Sequence, residues 1–135
     1  MAFVHGKNTV ITVATTDLSQ YTDSSELERS GDSHDVTTYG NSAHRKAGGL
    51  LDGSFKMSGT YDNTASTGPR GKLEPLLGTI VAINRKPDGT GSSKAMDDFD
   101  ALLTKYVETS PVADMVKWSA EFEIDGDVDS TPQGA

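Results

Sequence analysis

A strict alternation of apolar and polar residues between Met115 and Ile124 constrains the fold more than any other feature of this chain. The apolar set is Val116, Trp118, Ala120, Phe122 and Ile124. The polar set is Lys117, Ser119, Glu121 and Glu123. Successive strand residues point to opposite faces of a sheet, so a period of two predicts a strand with one buried and one solvated face.

A second alternating segment runs from Ser54 to Tyr61. Its apolar side chains Phe55, Met57 and Tyr61 share one face with Gly59. Its polar side chains are Ser54, Lys56, Ser58 and Thr60. Half-buried strands of this kind are typical of antiparallel sheets, whereas parallel sheets use continuous apolar runs.

Weaker strand signals occur at 9–14, 35–39, 79–84 and 101–109. The first is rich in β-branched residues, which favour strands. The third is apolar on both sides, which predicts an interior strand. The fourth leads through a short Ser-Pro link into the alternating segment at 115–124, which favours a hairpin over a helix.

A short helix is predicted over residues 69–77. Leu73, Leu76 and Leu77 have helical spacing, and Gly78 stands where a C-terminal glycine is expected. Pro75 keeps this helix short. Loops are predicted at 40–49, 86–93 and 125–135, the last as an acidic tail without a core face.

These elements predict a mainly β fold, an antiparallel β-sandwich or partial barrel with one short α-helix. The chain of 135 residues fits a single domain, which we assign to residues 1–128, followed by an acidic C-terminal tail at 129–135. The predicted core consists of Phe55, Met57, Tyr61, Leu73, Leu77, Ile80, Val116, Trp118 and Phe122.

The charge distribution argues against a nucleic-acid-binding protein. The net charge is −8, and it divides into −4 over residues 1–40, +4 over 41–86 and −8 over 87–135. Contacts to phosphates need clustered Lys and Arg, which an acidic chain lacks. A basic middle between acidic ends is compatible either with a solvated surface or with copies that attract one another.

Nothing in the sequence calls for an active site, a cofactor or a metal. The chain has no Cys, and its His residues have no partners at metal-site spacing except His34 beside Asp35, which a strand would point to opposite faces. The N-terminus has no apolar stretch of signal-peptide length, and no apolar run is long enough to cross a membrane. We therefore expect a protein that is not an enzyme.

Several phrases, spread over roughly residues 3–128, carry a resemblance to a known family. In order they are FVHGKNTVITV, DLS, DVTTYGNSAH, GLLDGSFKMSGTYD, LEPLLGTIVAINRKPDGTGS and ETSPVADMVKWSAEFEIDGDV. Together they resemble the major tail tube proteins of long-tailed bacteriophages, especially those of actinobacterial hosts.

The resemblance implies a β-sandwich subunit that forms hexameric rings, which stack into a tube that conducts viral DNA without reading its sequence. Strands from six copies would close an inner β-barrel, with 35–39 among the inner strands. The implied partners are further copies of the chain, a tape-measure protein and the tail tip and terminator proteins. The implied location is the virion tail, after assembly in the host cytoplasm without membrane insertion.

The resemblance also suggests roles for particular residues. The lumen candidates are Ser54, Lys56, Ser58, Thr60, Lys117, Ser119, Glu121 and Glu123. The loop at 40–49 would reach the adjacent ring. We add that its basic residues could meet acidic residues of a neighbour, either those at 97–100 or the C-terminal aspartates. The contact candidates are His44, Arg45, Lys46, Asp97, Asp98 and Asp100.

Two other functions are compatible with the same strands. A head decoration or tail-terminator protein has a similar β-sandwich but forms no long polymer. A monomeric β-sandwich binding module would need an aromatic groove, yet the only Trp, Trp118, falls on the predicted core face.

Overall fold

A computed structural model describes residues 3–63 and 68–133 of the chain. Within these residues the chain forms seven strands and one short helix, with single 3₁₀ turns at Gly6–Asn8, Ser19–Tyr21 and Glu74–Leu76. The strands are β1 (Val10–Val13), β2 (Thr16–Asp17), β3 (Ser24–Asp35), β4 (Lys46–Thr60), β5 (Ile80–Lys86), β6 (Asp97–Thr109) and β7 (Lys117–Asp129), and the helix is α1 (Pro69–Leu73).

The seven strands form one antiparallel sheet in the order β2-β1-β5-β6-β7-β4-β3. The order ends at β2 and β3, so the isolated chain is not a closed barrel. The prediction of a mainly β, antiparallel fold with one short helix is confirmed. Strand β3 is a sheet edge of 12 residues, and such edges are available for pairing with other chains.

The core lies on one face of the sheet and forms a single apolar cluster. Strands β1, β5, β6, β7 and β4 contribute to it, together with Leu18 and Leu73. Phe55 packs edge-on against Phe99 with ring centroids 5.6 Å apart. Trp118 is 1% exposed, and its Nε1 donates a hydrogen bond to the Tyr21 carbonyl oxygen at 3.2 Å. A buried indole N–H of this kind must find an acceptor.

The helix predicted over 69–77 is shorter than expected and tightens at its end. Pro69 occupies the first helical position, where its missing N–H costs nothing. The helix ends at Leu73, and a 3₁₀ turn with Pro75 near its start follows. Gly78 then adopts a φ of +83°, and its N–H donates to the Leu103 carbonyl at 2.9 Å, which anchors the turn to β6.

Two residues predicted for the core are exposed in the single chain. Leu77 is 49% exposed and Ile80 is 56% exposed, so both predictions are wrong. Strand β5 alternates after all: Val81 and Ile83 point into the core, and Ile80 points to the opposite face. Of the other predicted core residues, Phe55, Met57, Leu73, Trp118 and Phe122 are buried, whereas Tyr61 and Val116 are half-buried.

Three predicted segment boundaries are also wrong. Only the first residue of the strand predicted at 35–39 lies in a strand, because β3 ends at Asp35 and a turn-rich connection follows. The loop predicted at 40–49 is already strand from Lys46 onward. The tail predicted from Asp125 continues β7 as far as Asp129. Pairing with a neighbouring strand extends β4 and β7 beyond the residues whose side chains alternate.

Candidate assembly surfaces

The eight lumen candidates lie together on the sheet face opposite the core. Strands β4 and β7 pair so that the two polar rows stand directly side by side. Each residue of one row faces a residue of the other, and the residues that alternate with them between Ser54 and Thr60 and between Lys117 and Glu123 are buried. The pairs are Ser54 with Glu123, Lys56 with Glu121, Ser58 with Ser119, and Thr60 with Lys117. We call these eight residues the polar sheet face.

Glu121 is the electrostatic centre of this face. Its carboxylate oxygens lie 3.6 Å from Nζ of Lys56 and 3.7 Å from Nζ of Lys105, and its side chain is 39% exposed. Exposed ion pairs contribute little to stability. Their effect here is on the lysines themselves: the Glu121 carboxylate lies beside both ammonium groups and weakens their attraction for other anions.

Sequence reasoning missed three charged residues that extend this face. Glu28 and Glu26 of β3 pair with Ser54 and Lys56, and their alternation with Leu27 was a usable signal. Lys105 pairs with Glu121 because the register of β6 shifts between Leu103 and Lys105. The bulge returns Tyr106 to the core side, stacked on Trp118 at 6.4 Å between ring centroids. An irregularity of this kind has no sequence signature.

The second surface is a projecting hairpin that we call the arm, residues 29–52. Strand β4 pairs with β7 only from Ser54 onward, so within the arm it pairs with β3 alone. Nearly every arm residue is exposed on both faces. Its exposed apolar side chains are Val36, Tyr39, Leu50 and Leu51. Exposed apolar residues grouped on one projection indicate a contact surface.

The arm tip is organised around Asp35. Its Oδ1 accepts hydrogen bonds from the Thr37 backbone N–H at 2.9 Å and from the Thr37 hydroxyl at 2.5 Å. Its Oδ2 lies 3.2 Å from His44 Nδ1 and 3.7 Å from Lys46 Nζ. These hydrogen bonds, those from Thr37 first, lower the pKa of Asp35 below its usual value.

These pairings within the chain engage several of the predicted contact residues and keep the basic ones apart from the acidic ones. His44 and Lys46 face Asp35 within the arm, and the backbone N–H of Arg45 donates to the Thr37 hydroxyl at 2.9 Å. Asp97, with a side chain 13% exposed, pairs with Arg85 at 3.4 Å, so it is poorly placed to meet a neighbour.

Asp98 and Asp100 are exposed. They stand opposite Asp129 and Asp125 of β7. Of the acidic contact candidates, these two are therefore the ones that another copy could reach.

Within residues 3–63 and 68–133, the structure groups no three His, Cys, Asp or Glu side chains that could hold a metal ion. In the same residues, no helix has the length and apolar character needed to cross a membrane.

The sequence matches no known family profile and no curated protein. The fold, in contrast, matches solved structures along nearly its whole length. A chain in the virion of a native gene transfer agent particle matches with a TM-score of 0.79 at 11% identity, over 96% of this chain and 99% of that one. A chain in the tail of an empty gene transfer agent particle, computed with C6 symmetry, matches with a TM-score of 0.74 at 14% identity and the same coverage.

The SPP1 tail tube, solved by solid-state NMR and cryo-electron microscopy, also matches. Its TM-score is 0.78 at 8% identity, over 98% of this chain and 81% of that one. At these identities the likeness establishes the fold: this chain shares the architecture of the three matched chains.

Proposed function

We propose that the chain is a non-enzymatic structural subunit of a phage-type tail tube, assembling into rings of six that stack around a central channel. The observation that carries the proposal is the near-complete overlap with subunits of assembled tails, one of them treated with C6 symmetry. The edge at β3 and the projecting arm support it, because both present unpaired surface that a neighbour could cover.

The polar sheet face is our candidate for the channel lining. A channel that passes DNA must be hydrophilic without retaining phosphates. Around Glu121, Lys56 and Lys105 lie beside a carboxylate. With Lys117 the face has three lysines, and four carboxylates, those of Glu26, Glu28, Glu121 and Glu123, outnumber them. DNA would therefore be repelled at short range, over about 8 Å at physiological salt, and conducted without sequence-specific contacts.

The further roles follow from the same proposal. The arm would contact the adjacent ring, with His44, Arg45 and Lys46 near the exposed Asp98 or Asp100 of another copy. The tube would grow with a tape-measure protein and with tip and terminator proteins, in the cytoplasm of an actinobacterial host, and end in the virion tail. Residues 1–128 would form the tube domain, and 129–135 its C-terminal tail.

Electron microscopy of the purified chain at rising concentration tests the proposal. Hollow tubes of uniform width, or stacked rings, are the expected result. Closed rings that never stack would instead favour a terminator or decoration protein. A chain that remains monomeric at the highest soluble concentration contradicts spontaneous self-assembly and favours a binding module.

The channel lining can be tested separately because the chain has no Cys. Thr60→Cys places one thiol on the polar sheet face, and Thr90→Cys places one in the β5–β6 connection, outside that face. In the monomer both thiols should react with a polymer-linked maleimide. In tubes, the thiol at 60 should react only with a small maleimide, and equal labelling by both reagents would contradict a lumenal position.

A further inference from the structure

The arm separates from the rest of the sheet at Gly53. Strands β4 and β7 are paired up to Ser54 and Glu123, after which β4 continues into the arm and β7 continues beside β6. A side chain at Gly53 would collide with the Glu28 carbonyl oxygen, 2.6 Å from its Cβ, and with Ile124. A groove of about 670 Å³, lined partly by Leu51 and Ile124, opens between the diverging strands.

At this groove, a series of polar contacts connects the arm to the rest of the sheet, which we call the body. Arg29 Nη1 donates to the Ser130 hydroxyl at 3.2 Å. The same hydroxyl donates to Asp97 Oδ1 at 2.8 Å, and Asp97 Oδ2 lies 3.4 Å from Arg85 Nη1. One hydroxyl can accept and donate at once, so Ser130 connects the base of the arm to a largely buried ion pair.

Residues 130–133 follow β7, and we call them the C-terminal strap. Ser130 is the first of them, and the contacts of the other residues hold it in place. Gln133 exchanges backbone hydrogen bonds with Ser93 and Lys94, at 3.0 and 2.9 Å. Its side chain accepts from the Gly91 N–H at 3.1 Å and donates to the Gly89 carbonyl at 2.8 Å. The strap is therefore fastened to the β5–β6 connection, and its first residue is fixed opposite Arg29.

We propose that the C-terminal strap is a positioning device that sets the angle of the arm relative to the sheet. Beyond Gly53 the arm is a two-stranded hairpin, and such a hairpin is marginally stable and free to bend unless it is packed. The strap supplies a fixed point at the arm's base. Its consequence for ring stacking rests on the proposed function, since the arm must then present its tip in the same direction in every copy.

The test measures the arm's orientation in the monomer, where tube formation plays no part. Spin labels at Ser42→Cys, on the exposed arm tip, and Ser110→Cys, in the β6–β7 turn, report the distance between arm and body. In this labelled chain, Ser130→Ala removes both strap contacts of the hydroxyl, and Gln133→Ala loosens the strap from the β5–β6 connection.

We expect each substitution to widen the distance distribution about twofold, as local tethering is lost. Ser130→Thr keeps a hydroxyl and should keep the narrow distribution. Ser92→Ala, at an exposed position outside the strap, is the matched control. The fluorescence of Trp118 verifies that each variant remains folded.

An unchanged distribution in Ser130→Ala, or a broad one in the parent chain, overturns the proposal. A broadened distribution supports the strap whether or not the chain polymerises. If the parent chain has a narrow distribution but forms no tubes, the strap stands and the proposed function fails. If Ser130→Ala broadens the distribution yet forms tubes as long as the parent's, the positioning role stands and only its consequence for stacking is lost.

Discussion

The arm consists of β3 and β4 alone, and both strands continue into the seven-stranded body of the sheet, yet the two regions differ in almost every physical respect. In the body, Phe55 and Met57 of β4 are at most 2% exposed. In the arm, earlier on the same strand, Leu50 and Leu51 are 81% and 74% exposed. Burial stabilises the body by about 1.5–3 kcal/mol for each large apolar side chain. The arm gains nothing comparable in the single chain, which suits a surface reserved for a partner.

The largest expected difference between the two regions comes from truncating one aromatic ring in each. Phe122→Ala in the body should lower the free energy of unfolding by about 3–5 kcal/mol, because it leaves a cavity in the core. Tyr39→Ala at the arm tip should change it by less than about 0.5 kcal/mol. Urea unfolding followed by Trp118 fluorescence measures both. Equal losses would show that the arm tip is packed in the single chain.

The next effect uses one glycine from each region. At Gly59, an added Cβ would overlap the Tyr21 carbonyl oxygen, so Gly59→Ala should cost about 3 kcal/mol, the upper range for overpacking. At Gly48 in the arm, nothing lies within 4 Å, and Gly48→Ala should be neutral or stabilising by up to about 1 kcal/mol. Thermal unfolding of the two variants provides the measurement, and a tolerated Gly59→Ala would contradict the close approach of Tyr21.

Charge reversal at the arm tip should separate assembly from stability. The double variant Arg45→Glu and Lys46→Glu should unfold within about 1 kcal/mol of the parent, since these groups are exposed. It should nevertheless shorten or abolish tubes seen by electron microscopy. Lys7→Glu, an exposed charge outside the arm, is the control. Tubes of parental length in the double variant would remove the proposed contact with acidic residues of a neighbour.

The smallest expected effect concerns an Asp–Thr motif that occurs once in each region. Asp35 of the arm and Asp129 at the end of β7 each accept two hydrogen bonds from the threonine two residues later, which lower the pKa of both carboxyls. Each contribution to stability is thus complete above about pH 4, the ordinary range for Asp. It is lost as the pH falls through the lowered folded-state pKa. Carboxyl NMR titration should give both midpoints below 3.8; a midpoint at or above that value would contradict the motif.

Prediction from the sequence was also more accurate in the body than in the arm. In the body, alternation located β7 and the inner half of β4, because one face of each strand is buried and the other is wet. In the arm, both faces meet solvent, so β3 carries a polar sequence without the period that identifies a strand. The predicted strand at 35–39 was therefore placed just beyond the real one.

Local sequence by itself determined which side chains of β4 and β7 share a face, because the alternation of a strand depends only on the chain's own backbone geometry. It also determined the short helix before Gly78 and the absence of a thiol. Only the tertiary structure decided that Lys105 stands beside Glu121, that Ile80 faces outward, and that Ser130 joins Arg29 to Asp97. These relations depend on register, a bulge and the approach of residues about a hundred positions apart, which no local pattern encodes.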